Sequence, residues 1–221
     1  LSGSGDLSAA AGAAVLVFAD RADTNDVEPI ESGLDLLRRI AATVPRAPFV
    51  FACPGHYDLM QLAARELRLE PRRVIGSSPE ALASAARALL ALAAGASPAE
   101  TSVPICGVPS GWVFGWSEAV VSGRPAAAAL PPHEIGAVER RARASWPPGA
   151  YALGSAAARV SGAVLTRSRR HHTCFAVLDA GEWRGRIAAM PVLLGPDGVV
   201  RRLDPALSVR ERVQLASALS A

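Results

Sequence analysis

Lysine is absent from the 221 residues, so all 23 basic side chains are arginine. Aromatic residues are scarce at 5%, and charged residues reach only 19%. No apolar run approaches the roughly 18 residues that would mark a membrane-spanning helix. No basic segment precedes an apolar one in the manner of a secretory leader. Membrane insertion and secretion are therefore not expected, and a cytoplasmic setting is. The formal net charge is only +3. The arginines gather in short groups, Arg140, Arg141 and Arg143 and then Arg167, Arg169 and Arg170, which read as solvated helix faces or turns rather than a phosphate track. Nucleic acid is not an expected partner. The three cysteines, Cys53, Cys106 and Cys174, match neither a disulfide framework nor a zinc-ligand spacing. They border apolar runs and are expected as buried free thiols, with no metal site.

What is present describes a folded domain, or two small ones. Hydrophobic residues make up 50% of the chain, and 19 glycines and 17 prolines punctuate it throughout. The missing lysine and abundant alanine read as GC-rich coding. Continuous apolar runs at 13–19, 47–53, 73–76 and 103–106 suit strands covered on both faces, as in a parallel sheet. Helical spacing separates them: Leu34, Leu37 and Ile40 within 31–42, Leu59, Leu62 and Leu67 within 58–69, and a third helix over 79–94. Ser78 is expected to cap that third helix, with Pro79 and Glu80 in its first turn and Gly95 at its end.

After residue 107 the pattern changes. Helices are expected at 133–145 and 149–167, the second with small inner residues Gly154, Ala156, Ala157 and Gly162. Antiparallel strands are expected at 173–179, 186–193 and 198–203, turning at Gly181 and at Pro196-Asp197-Gly198. Ser208 and Glu211 form a capping box for a last helix ending near residue 219. The fold class expected is α/β: a partial doubly wound, Rossmann-like parallel sheet over 1–106, then an α+β segment over 107–221.

Near the start, Gly3-Ser4-Gly5-Asp6-Leu7-Ser8 resembles the opening of a dinucleotide-binding loop. Such a loop needs a strand immediately before it, and only two residues precede Gly3. Ser8 stands where the third glycine belongs. A surface turn and a short helix are the better expectation. The chain begins at Leu1 rather than methionine, which reads as a removed or unrecorded start.

Seven segments in order are similar to the lactate/malate dehydrogenase family: VLVFAD at 15–20, LDLLRRI at 34–40, FACPGH at 51–56, RRVIGSS at 72–78, LASAARALLA at 82–91, the stretch 104–125, and the tail 190–219. The resemblance implies that the front of the nucleotide domain, with its glycine-rich loop and ribose-holding acid, precedes Leu1. It therefore implies no cofactor for these residues, and NAD only if a longer N-terminus supplies that loop. It also implies an unpaired strand and an uncovered apolar face, and a homo-oligomer.

The family's chemistry needs a histidine to carry a proton, an aspartate to orient it, an arginine to clamp a carboxylate and a second arginine on a closing loop. By the resemblance, the histidine position holds Pro109. The aspartate position holds Ala83 and the clamp position Ala86, with Arg87 one place later and about 100° further round a helix. The stretch 22–33 contains no arginine. Cys53 replaces an asparagine, and Ser155 corresponds to a small residue lining the cleft. His56 lies near a strand end facing the crevice, while His133, His171 and His172 are expected in structural roles. The vestigial cleft thus comprises Cys53, His56, Ala83, Ala86, Arg87, Pro109 and Ser155, with no catalytic set. Two functions stay open: a binding or assembly homologue without dehydrogenase activity, or an NAD-dependent oxidoreductase for the CH-OH group of a 2-hydroxy acid with rearranged residues. The small-molecule substrate is unknown in either case.

Overall fold

The computed structural model describes residues 4–20, 30–67 and 69–220. Each of the first three apolar runs contains a strand, though a shorter one than the run: β1 (Leu16–Phe18), β2 (Phe49–Phe51) and β3 (Val74–Gly76). They are parallel neighbours, with Phe18 opposite Phe51 and Phe51 opposite Gly76. Helices α1 (Ile30–Thr43) and α2 (Tyr57–Glu66) precede β2 and β3. A helix is the usual means of returning a chain between parallel strands. Helix α1 buries the expected Leu34, Leu37 and Ile40. Helix α2 buries Leu59, Met60 and Ala63, leaving Leu62 and Leu67 at the core margin.

Helix α3 (Ser78–Ala93) ends before Gly95, whose φ of +62° suits a glycine there. Ser78 proves to be its first residue, not its cap. Ser77 takes the flanking position, and its Oγ donates to the Phe51 carbonyl at 3.3 Å, tying α3 to β2. The fourth apolar run is not a parallel strand. The chain turns through β4 (Thr101–Ser102) and forms a hairpin of β5 (Ile105–Val108) and β6 (Gly111–Phe114). Strand β5 runs antiparallel to both its neighbours, β6 and β10.

Two short strands, β7 (Val120–Val121) and β8 (Arg124–Pro125), join β4 in a separate three-stranded sheet. Then come α4 (Ala126–Ala129), α5 (Pro132–Arg143) and α6 (Ala150–Thr166). Strands β9 (His172–Val177), β10 (Ile187–Gly195) and β11 (Gly198–Arg202) are antiparallel as expected, and α7 (Val209–Ser220) closes the described chain. The small-residue face of α6 is only partly as expected: Ala156 and Ala157 are buried with Val160, Ala163 and Val164, but Gly154 is exposed.

One eight-stranded sheet runs in the order β1-β2-β3-β9-β10-β5-β6, with β11 also on β10. The division expected at residue 106 falls inside β5, and β3 pairs directly with β9 across it. Alternate residues enter two cores. Phe49, Phe51, Val74, Phe175 and Ile105 meet α1, α2, α3 and α5, whereas Val50, Ile75, Cys174 and Ala176 meet Val160, Ala163 and Val164 of α6. Coverage of both faces explains why the strands lack a polar alternation. The expected uncovered apolar face is therefore not found on β2, whose three residues are fully buried. Among the described residues β1 is one edge of the sheet, with Val17 49% exposed, and β6 is the other.

Two polar anchors lock the layers. Arg73 is buried and donates to the carbonyls of Val44 and Ala47 at 2.8–3.0 Å, holding the turn that leads into β2. Glu211 joins the expected capping box: its Oε2 accepts from Ser208 N–H and from Ser208 Oγ, both at 2.7 Å. The same carboxylate accepts from Ser117 Oγ at 2.6 Å and, through Oε1, from Ser117 N–H at 3.1 Å. The cap of α7 is thereby fastened to the loop after β6. Among the described residues no helix is long and apolar enough to cross a membrane.

Candidate functional site

Open-sheet α/β proteins bind ligands beyond the carboxyl ends of their parallel strands. The register here decides what stands there. Phe18 opposes Phe51, so Asp20 and Cys53, each two residues on, emerge side by side. The Ala52 N–H still donates to the Phe18 carbonyl at 2.8 Å, which keeps the two strands paired up to that point. The Asp20 N–H then points at Cys53 Sγ, 3.4 Å away. Cys53 begins a short 3-10 turn, Pro54–His56, whose proline fixes its first residue. That turn brings His56 back over the strand ends. Its Nε2 lies 2.7 Å from Asp20 Oδ1, and its ring meets Phe51 edge-on at 6.1 Å. Asp20, Cys53 and His56 present donor atoms all within 4.8 Å of one another.

Burial, partly offset by the Asp20 N–H and reinforced by the Asp20 carboxylate, pushes the Cys53 thiol up to about 11. At neutral pH it is a thiol, not the thiolate a nucleophile requires. The His56–Asp20 pair is the acid-oriented imidazole that general acid–base chemistry uses. On α3 the family's aspartate position holds Ala83, but an aspartate does accompany a histidine at the ends of β1 and β2.

The remaining expected cleft residues separate. Ala83 and Arg87, one turn apart on α3, line a cavity of about 500 Å³ together with Glu80, Thr173 and His171. Ala86 is fully buried in the core and lines neither this cavity nor the next. Pro109 occupies the β5–β6 turn and lines a second cavity of about 810 Å³ with Ser110, Tyr57, Asp58, Arg184 and Arg186. Ser155 is exposed on α6. His56 borders neither set, although its neighbours Gly55 and Tyr57 line the second cavity. Arg21 and the residues to 29, where a loop arginine was sought, lie outside the described residues, as does Gly3. From Gly5 the turn and short helix expected there appear as a 3-10 helix, Leu7–Ala10, capped by Asp6.

Glu80, in the first turn of α3, is also the buried hub of a polar cluster that opens toward solvent at Arg159. It is 3% exposed, and its Oε2 accepts the Thr173 N–H at 2.8 Å. Its Oε1 lies 3.8 Å from Arg87, 3.7 Å from Arg159 and 3.9 Å from His172. Ser84 Oγ accepts from both arginines at 3.0–3.1 Å. Burial raises the Glu80 carboxyl above its ordinary value despite these donors. Burial, with Arg159 and Arg87 nearby, holds His172 below its own, and both its ring nitrogens are buried without a partner. Sequence spacing hid this cluster because its members come from α3, α6 and β9. Trp112 is buried and packs against Trp146 and Phe175, with ring centroids 4.6 and 5.8 Å away. Cys106 and Cys174 are the buried free thiols expected, whereas Cys53 is half-buried. His133 is exposed on the surface.

No protein-family model matches the chain. A search of curated proteins also finds no match. Solved structures do match. The malate dehydrogenase from Aeropyrum pernix superposes with a TM-score of 0.86 at 17% identity, covering 99% of this chain and 77% of that one. The minor L-lactate dehydrogenase from Enterococcus mundtii, in its ligands-unbound form, gives 0.79 at 19% identity, over 98% of this chain and 77% of that one. Its ligands-bound form gives 0.78 at 18%, over 98% and 76%. The mixed α/β fold of this chain is therefore the fold of malate and L-lactate dehydrogenases.

Proposed function

We propose that this protein is a diverged relative of the lactate/malate dehydrogenases that lacks their dehydrogenase chemistry and acts as a binding or assembly protein. The observation that carries this reading is Pro109. It stands in the β5–β6 turn where the resemblance calls for the proton-carrying histidine, and it has no side-chain proton to give. Ala83, at the position of the orienting aspartate, opens into a different cavity. Such a positioned acid or base is worth about 10²–10⁴-fold in rate, which proximity alone does not replace. On the same reading, residues 1–106 descend from the later half of a nucleotide-binding domain and 107–221 from the companion segment. Its binding partner is a second copy of the chain, and its setting is cytoplasmic.

The test is direct. Purified protein is titrated with NADH by fluorescence and assayed at 340 nm with NAD and L-lactate or L-malate across pH 5–10. No turnover and no saturable NADH binding are expected. Robust turnover overturns the reading.

A second reading is favoured by the 2.7 Å contact between His56 and Asp20. In it, the acid–base pair has moved to the ends of β1 and β2, and the protein is an NAD-dependent oxidoreductase for the CH-OH group of a 2-hydroxy acid. Arg87 would then clamp the carboxylate, but its Nη2 is engaged with Ser84 and near Glu80, and it lines the cavity that His56 does not. If turnover is found, its loss in His56→Gln selects this alternative.

A further inference from the structure

We propose that Asp20, Cys53 and His56 form a three-ligand site for a zinc-class divalent cation, with one coordination position left open. The site differs from both cavities and from the Glu80 cluster, and it is independent of whether the chain binds a nicotinamide.

The placement comes from strand register, not from loop chance. Parallel pairing carries Asp20 and Cys53 out at the same level, and the proline-led turn folds His56 over them. All three donor atoms lie within 4.8 Å of one another. Tetrahedral bonds of the usual lengths to nitrogen, oxygen and sulfur put ligand atoms about 3.3–3.6 Å apart. The His56–Asp20 separation is 2.7 Å. Side-chain movements of under about 1 Å therefore convert a hydrogen-bonded group into a ligand set of that size.

The donor chemistry selects the ion class. One sulfur, one imidazole nitrogen and one carboxylate oxygen suit a borderline cation such as zinc. Magnesium and calcium require oxygen-rich cages that are not offered here. Three protein ligands with a fourth position free is the pattern of zinc sites that hold water or a small ligand. The exposure gradient agrees: the His56 side chain is 14% exposed and packed on Phe51, while that of Asp20 is 63% exposed, so one side of the group faces solvent. On binding, Cys53 coordinates as thiolate and releases its proton to solvent, and His56 coordinates through Nε2 in place of its bond to Asp20, its ring proton moving from Nε2 to Nδ1.

The experiment is a cobalt(II) titration of the full 221-residue chain in a non-chelating buffer, followed by competition with zinc(II). One equivalent of cobalt is expected to produce a sulfur-to-cobalt charge-transfer band in the near ultraviolet, and one equivalent of zinc to abolish it. Cys53→Ser should remove the band. His56→Ala and Asp20→Asn should each weaken binding by more than the roughly tenfold cost of losing a group behind a ligand. Far-ultraviolet circular dichroism checks that each variant folds. A His171→Ala/His172→Ala double variant should bind like the parent. In a second measurement zinc should protect Cys53 from iodoacetamide in the native protein, with the buried Cys106 and Cys174 as internal controls. The proposal is overturned by the absence of a charge-transfer band at one equivalent, by a band that survives Cys53→Ser, or by loss of binding in the double histidine variant. None of these outcomes bears on the NADH titration, so the two proposals fail separately.

Discussion

His56 Nε2 lies 2.7 Å from Asp20 Oδ1, across 36 residues of sequence, because β1 and β2 are parallel and in register. Neither residue alone marks a site. Their contact gives this end of the sheet both an acid–base pair and, with Cys53, a donor triad. Dehydrogenase activity and metal binding at these residues are tested as described above; four further expectations concern the surrounding scaffold.

Glu211→Ala should destabilise the protein by about 2 kcal/mol or more, since it removes four bonds to Ser117 and Ser208 and a hydrogen bond to a charged group contributes about 1.5–3 kcal/mol net of its exchange with water. Burial raises the Glu211 carboxyl, but the Ser117 and Ser208 bonds outweigh it and the net direction is down from 4.5. A lowered carboxyl stabilises the fold above its unfolded value and loses that contribution as pH falls through the folded one. Urea unfolding at pH 7 and pH 3 should therefore show a smaller difference between parent and variant at pH 3.

His172→Leu should flatten the acid side of the stability profile. The folded state holds His172 neutral, below its ordinary 6.5, with Glu80, Arg87, Arg159, Arg170 and His171 around it. The unfolded chain takes up a proton first, so stability from this group is present above 6.5 and declines as pH falls towards the folded value. Glu80, raised from its ordinary value, acts in the opposite direction as pH climbs. The comparison with the variant isolates the histidine. Melting temperatures from pH 8 to pH 5 should fall more steeply in the parent; equal slopes would remove His172 from this role.

Gly198→Ala and Gly107→Ala should each cost more than about 2 kcal/mol or prevent folding. A Cβ on Gly198 (φ +103°) would come within 2.0 Å of the Arg72 carbonyl oxygen, and one on Gly107 (φ +122°) within 2.1 Å of that of Gly111. Gly154→Ala, inside α6, meets nothing within 4 Å and serves as the control, expected to be neutral or slightly stabilising. Chemical denaturation curves of the three variants test the contrast.

Self-association, if it uses the edge of the sheet, should respond to Val17. This residue is half-exposed on β1, one of the two edge strands among the described residues. Inward or edge charge discourages strand pairing. Val17→Lys should lower the mass measured by light scattering, while Val213→Lys on α7, exposed to a similar degree, should not.

The local elements were legible in the residue order. Apolar runs located β1, β2 and β3, helical spacing named all three buried residues of α1, and Ser208 with Glu211 announced the cap of α7. Resemblance in seven short segments pointed to a fold that superposition then matched, although identity to those structures stays below 20%. These signals are local: periodicity and capping depend on neighbours within a few positions along the chain. Pairing between distant segments leaves no such trace. That β5 runs antiparallel, that β3 adjoins β9, that Glu80 meets Arg159 and His172, and that Asp20, Cys53 and His56 converge were all settled by strand register and by which helix covers which face. A one-residue slip in that register would turn each side chain to the other face of the sheet, so only the assembled structure could bring those three donors to one place.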